Sequence, residues 1–302
     1  MKIALTFLLL FSLSNYAELS SHYYKTDHKI PTFRVSKKLS IPFKLFRYSL
    51  PKLSEATTLL ATLNLAPNTT KVSPEKTAIL NKSFTKIYQE IARDPDFKTI
   101  KSSLVYSYSP KITQGHYYLY KPKKITRSTP SIIFLHGFGG NFLFYLKIMK
   151  EQFPDHIILF PTHSYSWLRG GSRYLHETIE HLESTQKIQL NKPCLFALSA
   201  GGPAGLRIYN EEPFYFKGLI MITSFFHKLK AKDFETSLKI LVLNGTKDER
   251  LPIKRVRIKR DKFQRRIPGL KFKELPYDHF LMLTQSKDCF SPIKKYMKTF
   301  NK

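Results

Sequence analysis

Five short apolar runs constrain this chain more than any other feature: Ser131–Leu135, Ile157–Phe160, Cys194–Leu198, Leu219–Thr223 and Lys239–Leu243. Each is bounded by Gly, Pro or Asn and is short for a helix. Each therefore reads as a strand buried on both faces. Helical stretches separate them, near 141–152, 172–187, 202–210 and 229–236. Leu270–Leu275 reads as a last strand and 290–300 as a closing helix. Buried strands alternating with helices predict an α/β fold, a mostly parallel central sheet with helices on both faces. Leu104–Tyr108 and His116–Tyr120 read as an opening hairpin. In such sheets ligands bind beyond the carboxyl ends of the strands, so chemistry is expected there.

Composition narrows the rest. A chain of 302 residues can bury a sizeable core, and 42% hydrophobic residues exclude a wholly disordered chain despite a net charge of +28. Two cysteines, Cys194 and Cys289, exclude a disulfide framework or a Cys-rich zinc module. The absence of eighteen consecutive apolar residues excludes a polytopic membrane protein. Residues 1–17 carry one Lys, an apolar stretch from Ile3 to Phe11 and a small-residue exit, the pattern of a secretory signal peptide. Cleavage fits after Ala17 or after Ser14, and an uncleaved anchor is the competing reading. The expectation is export, to the periplasm, the outer membrane or the medium. Residues 18–100 form a basic N-terminal extension before a catalytic region at 101–302. Within the extension, Ser73-Pro74-Glu75 supplies a cap, a proline and an early acid. Leu80, Phe84, Ile87, Tyr88 and Ile91 then recur at helical spacing, giving an amphipathic helix over 74–93.

Glycine is scarce, 12 in all, and eight lie between 137 and 205. Five of these sit in two segments that follow apolar strands, His136-Gly137-Phe138-Gly139-Gly140 and Ala197-Leu198-Ser199-Ala200-Gly201-Gly202. A serine among small residues, between strand and helix, is the arrangement of a nucleophile elbow, usually G-x-S-x-G. Ala197 replaces the first glycine. The competing reading of Ser199 is a cap on an ordinary strand-to-helix loop. The first segment suits a loop that offers backbone N–H to an oxyanion, and its rival is a phosphate loop. The dinucleotide fingerprint fails because residue 142 is Phe. A serine nucleophile needs a base and an orienting acid. Asp248 follows the strand ending at Leu243, and His279 is the single histidine after it. Ser199, Asp248 and His279 thus come in the order nucleophile, acid, base, each after a strand.

On HGFGG, ALSAGG, LNGTKDERLP and YDHFLML, residues 101–302 resemble the α/β-hydrolase superfamily in its serine esterase, lipase and peptidase branches. The resemblance implies Ser199 as nucleophile, His279 as general base and acid, Asp248 as its orienter, and the backbone amides of Phe138 and Ala200 as the oxyanion hole. It implies a small-molecule or lipid ester as substrate and no cofactor. Peptide cleavage by the same machinery and a non-catalytic binding role are the alternatives. Glu249 and Asp278 are the acids adjacent to the proposed pair, Asp278 reading as a turn cap. His163, Tyr165 and Trp167 are expected either to line the pocket or to form a surface loop. No metal-ligand spacing is present. A cap is not evident after the sixth strand, so the site is expected to be open or covered by residues 18–100. The excess of 50 Lys and Arg over 22 acids predicts attraction to anionic surfaces without specific nucleic-acid recognition. Eight of those cations crowd residues 254–266, where the resemblance implies a helix and a strand at Arg255–Lys259 is the other reading.

Overall fold

A computed structural model describes residues 17–33, 37, 40–65, 72–108, 112–226 and 229–301. Apart from Ala17, the expected leader lies outside them. The elements run β1 (Glu18–Lys25), α1 (Ser40–Ser49), α2 (Glu55–Leu65), α3 (Pro74–Arg93), α4 (Leu104–Ser107), β2 (Gln114–Lys121), β3 (Ser131–Leu135) and α5 (Leu143–Gln152). There follow β4 (Ile157–Pro161), α6 (Ser172–Gln186), β5 (Cys194–Leu198), α7 (Gly202–Glu211), β6 (Gly218–Ile222) and β7 (Ile240–Gly245). The chain closes with α8 (Ile253–Arg266), β8 (Leu270–Leu275), α9 (Leu281–Thr284) and α10 (Ser286–Met297).

The strands form one sheet of eight in the order β1-β2-β4-β3-β5-β6-β7-β8. From β4 through β8 all pairs are parallel, while β1 and β2 join antiparallel at one edge. Strands β3 through β7 are buried at every position. Their side chains alternate between two cores: Ile132, Phe134 and Phe196 on one face, Ile133, Leu135 and Leu195 on the other. Such a sheet needs helices on both sides, as the continuous apolar runs predict.

Three expectations are corrected. The opening hairpin does not form: Leu104–Ser107 is one helical turn, and β2 pairs instead with β1 over its full length. The partner strand comes from the extension, some ninety residues upstream, which local pattern could not reveal. The stretch 229–236 holds only a 3-10 turn at Ala231–Asp233. The closing helix starts earlier than 290, at Ser286, and carries Pro292 inside it. The helix expected over 74–93 spans Pro74–Arg93, with Ser73 accepting from the Lys76 N–H and the five apolar positions buried. It packs on α5 through Phe84 and Phe144, whose ring centroids lie 5.2 Å apart. Cys194 and Cys289 are buried free thiols. Among the described residues no helix is long and apolar enough to cross a membrane.

Candidate active site

Strand β5 ends at Leu198, and the chain turns through Ser199–Gly201 into α7. Ser199 has φ +49°, a left-handed conformation that a side chain tolerates only when surrounding structure imposes it. The imposing contacts are close. A Cβ on Gly201 would lie 2.5 Å from the Leu135 carbonyl oxygen, so only glycine lets the turn press against β3. The methyl of Ala197 is accommodated from α7, where a Cβ on Gly205 would come within 2.8 Å of it. The departure at 197 is therefore matched by a glycine one helical turn into α7. The Ser224 hydroxyl, after β6, donates to the Ser199 carbonyl at 2.6 Å and fixes the turn from the other side.

The other two residues arrive from neighbouring strand ends. Asp248 follows β7 and His279 follows β8, both on the carboxyl edge. His279 Nε2 stands 3.0 Å from Ser199 Oγ, and its Nδ1 stands 2.7 Å from Asp248 Oδ2. The second oxygen of Asp248 accepts the N–H groups of Arg250 and Leu251 at 2.9 and 2.8 Å. With Oδ1 so occupied, Oδ2 is left to accept the imidazole Nδ1–H, which leaves Nε2 bare toward the serine hydroxyl. A positive-φ serine between strand and helix, with acid and histidine on later strand ends in that order, decides the architecture. The chain has the α/β-hydrolase fold.

No protein-family model matches the sequence, and no curated protein does. Solved structures are similar at low identity. A predicted hydrolase of Thermoplasma acidophilum is 17% identical, with TM-score 0.45 over 62% of this chain and 91% of that one. A peroxisomal α/β-hydrolase of Saccharomyces cerevisiae is 11% identical, with TM-score 0.48 over 64% and 83%. An acylaminoacyl peptidase of Pyrococcus horikoshii is 12% identical, with TM-score 0.46 over 62% of this chain and 39% of that one.

Within this α/β-hydrolase fold, the loop after β3 lies beside the elbow, since a Cβ on Gly137 would sit 3.3 Å from the Ser199 Cβ. His136 anchors the loop and is buried; its Nδ1–H donates to the Gly137 carbonyl at 2.8 Å and its Nε2 accepts the His163 N–H at 3.2 Å. Burial pushes its pKa down to about 3, so it serves as a neutral strut. The Gly139 N–H donates to the Tyr165 carbonyl at 2.7 Å. Phe138 and Ala200, the proposed amide donors, thus sit on two loops that are each fixed from behind.

A cavity of about 200 Å³ opens at Ser199 and His279. His163, Tyr165 and Trp167 are not among its lining residues, which corrects the pocket expectation. Trp167 is fully buried, with its indole N–H donating to the Pro161 carbonyl at 3.2 Å. His163 packs against it, ring centroids 5.0 Å apart, and Tyr165 meets the Phe138 ring edge-on at 5.5 Å. These three brace the loop rather than face the cavity: His163 and Trp167 turn into the core, and Tyr165 stays half-buried against Phe138. Glu249 points away from His279 and pairs with Lys76 of α3 at 2.8 Å. Asp278 accepts the Phe280 N–H at 2.8 Å, a turn cap as expected.

Sequence reading missed Ser224, and it offered the extension as a cover for the site without the residues involved: Leu59, Thr62, Leu63 and Phe84 of residues 18–100 line the cavity. Glu55 of α2 is buried and accepts from Tyr88 OH, Ser102 OH and the Leu143 N–H, the last at 2.6 Å. Leu143 opens α5, just past the loop after β3, and its helix start has no side-chain cap of its own. Glu55 supplies that cap from outside. Its only signal in sequence was an acid beginning an apolar segment.

Proposed function

We propose that the protein is a serine hydrolase that cleaves a carboxylic ester through an acyl-enzyme intermediate. The observation that carries this reading is the placement of His279 between Ser199 Oγ and Asp248 Oδ2 at 3.0 and 2.7 Å. Ser199 Oγ attacks the ester carbonyl as His279 Nε2 takes the hydroxyl proton, and the carbonyl π pair moves onto oxygen. The N–H groups of Phe138 and Ala200 receive that negative charge, a term worth roughly 3 kcal/mol per donor. Collapse of the intermediate breaks the C–O bond to the alcohol, which leaves with the proton from His279. Water then repeats the sequence and frees the acid. Asp248 keeps the imidazole in the tautomer this cycle needs.

The test is Ser199→Ala on purified mature protein, read with a fluorophosphonate probe and a panel of acyl esters and peptides. Wild type should label and turn over esters. The variant should not label, and hydrolysis should fall by about 10⁴-fold or more with the fold intact. A wild type that is folded yet neither labels nor hydrolyses would remove the catalytic reading in favour of a binding role. Peptides cleaved in preference to esters would favour the peptidase.

For location, the leader pattern of residues 1–17 supports export, and N-terminal sequencing of the mature protein from each cell fraction checks it. For partners, α8 supports adhesion to anionic surfaces. Val256 and Phe263 bury its inner side and Ile267 is buried just past its end, while Lys254, Arg255, Arg257, Lys262, Arg265 and Arg266 are exposed. Arg260, which interrupts the buried stripe, is satisfied by Asp261 and Glu274. Binding to anionic vesicles should weaken several-fold between about 0.05 and 0.3 M salt, as the screening length shrinks. Reversal of Lys254, Arg255, Lys262 and Arg265 should reduce it, and unchanged binding would exclude this face.

A further inference from the structure

The cavity at Ser199 is walled partly by residues that precede the region resembling a hydrolase. Leu59, Thr62 and Leu63 of α2 and Phe84 of α3 line it together with Phe144 and Met282. We propose that this cavity is the acyl-binding site, that its substrates are esters of apolar acyl groups longer than acetyl, and that α2 limits their length. The proposal rests on the serine-hydrolase reading above.

Wall chemistry selects the substrate class. Leu63, Phe84, Phe144 and Met282 are each buried and apolar, and with Leu59, Phe142 and Leu283 they outnumber the hydroxyls that Thr62, Tyr145 and Thr223 bring to the lining. The guanidinium that borders the cavity, Arg250, lies over the Phe280 ring at 5.1 Å, on the Asp248 side. Its size selects shape. At about 200 Å³ the cavity is smaller than the roughly 300–1,000 Å³ of sites for bulky ligands, so it suits a single chain. The wall is also fixed. Glu55, at the first turn of α2, bonds the N–H that opens α5 and the hydroxyls of Tyr88 and Ser102, so α2 is tied to the loop carrying Phe138.

Reaction order assigns the cavity to the acyl half. The alcohol leaves in the first step, whereas the acyl group stays bonded to Ser199 until water has attacked. A recess walled by buried side chains suits the half that departs last.

Each methylene buried against such walls should raise kcat/KM about fourfold, equivalent to about 0.8 kcal/mol, until the cavity is full. The experiment measures kcat/KM for p-nitrophenyl esters from acetyl to dodecanoyl, beside acetate esters of lengthening alcohols. The acyl series should climb and then break off, and the alcohol series should stay nearly flat. Leu59→Trp and Thr62→Trp should each lower the octanoyl-to-acetyl ratio at least tenfold. Thr62 is exposed, so its replacement need not disturb the core. Leu59→Ala should shift the break to longer chains, and Thr57→Trp, on the solvent side of α2, should keep the wild-type ratio. A flat acyl series, a length dependence carried by the alcohol, or two Trp variants with the wild-type ratio would each overturn the proposal. Fluorophosphonate labelling of Ser199 separates the two readings. Labelling and acetyl-ester turnover with a flat acyl series remove only the acyl site, while absence of both removes the hydrolase reading with it.

Discussion

Asp248 and Glu249 are adjacent acids with opposite surroundings, and the difference is set by a single peptide of turn after β7. Asp248 is 3% exposed and has both oxygens engaged, one by His279 and one by two backbone N–H groups. Glu249 is solvated, with a side chain 61% exposed, and reaches Lys76. Asp248→Asn would place an amide N–H where an acceptor is needed or force the other imidazole tautomer. Turnover should then fall by about 10³–10⁴-fold with little change in fold. Glu249→Gln removes an exposed ion pair worth about 1 kcal/mol at most, so steady-state rates should stay within twofold of wild type. The reverse pattern in the two kcat/KM values would make Glu249 the acid that orients His279.

At the scale of elements, α2 depends on one buried carboxylate. Burial pushes the pKa of Glu55 up to about 7, against the lowering effect of the hydrogen bonds it accepts. Because the folded value is raised above the ordinary 4.5, the stability tied to its protonated form is complete below about pH 4.5. That contribution is lost as pH rises through 7. Glu55→Gln keeps the Oε1 acceptor for Tyr88 and Leu143 and can donate to Ser102. It should abolish this pH dependence, so the urea-unfolding difference between wild type and variant should move in favour of Gln from pH 5 to 8.5. Glu55→Ala leaves three donors without their acceptor and should cost about 2–4 kcal/mol. A wild-type-minus-Gln difference independent of pH would show that Glu55 titrates normally.

For the whole molecule, the histidines act in the opposite sense. His116, His136 and His163 are buried between the sheet edge and the loops after β3 and β4, and desolvation lowers them to about 3, 3 and 4. Unfolding returns each to about 6.5, so the unfolded chain takes up protons first as pH falls. The stability they allow is complete above about pH 6.5 and is lost on descent toward 4. Three protons taken up on unfolding correspond to a slope approaching about 4 kcal/mol per pH unit once pH is well below 6. Thermal unfolding followed from pH 7.5 to 5 should therefore show a steep loss of Tm on the acid side, and a flat profile would contradict neutral burial of these rings.

What the sequence by itself determined was everything that depends on local pattern. Continuous apolar runs can satisfy themselves only in a sheet covered on both faces, so β3 to β7 and the order of the residues at their ends were legible. Glycines beside Ser199, with an acid and a histidine on later strand ends, pointed to the same three residues that the fold brings within hydrogen-bonding distance. The helix of 74–93 was legible because five apolar residues repeat at helical spacing. Tertiary structure alone decided the rest. The pairing of β1 with β2 joins segments too far apart for any local signal, and the edge strand β1 has β2 as its sheet partner. His163, Tyr165 and Trp167 read either as pocket residues or as a surface loop because they follow a strand end, but packing after β4 buries His163 and Trp167 and lays Tyr165 against Phe138. The role of Glu55 as a cap on α5, and the places of Leu59, Leu63 and Phe84 at the cavity beside Ser199, depend on where α2 and α3 come to rest, which only the packed chain decides.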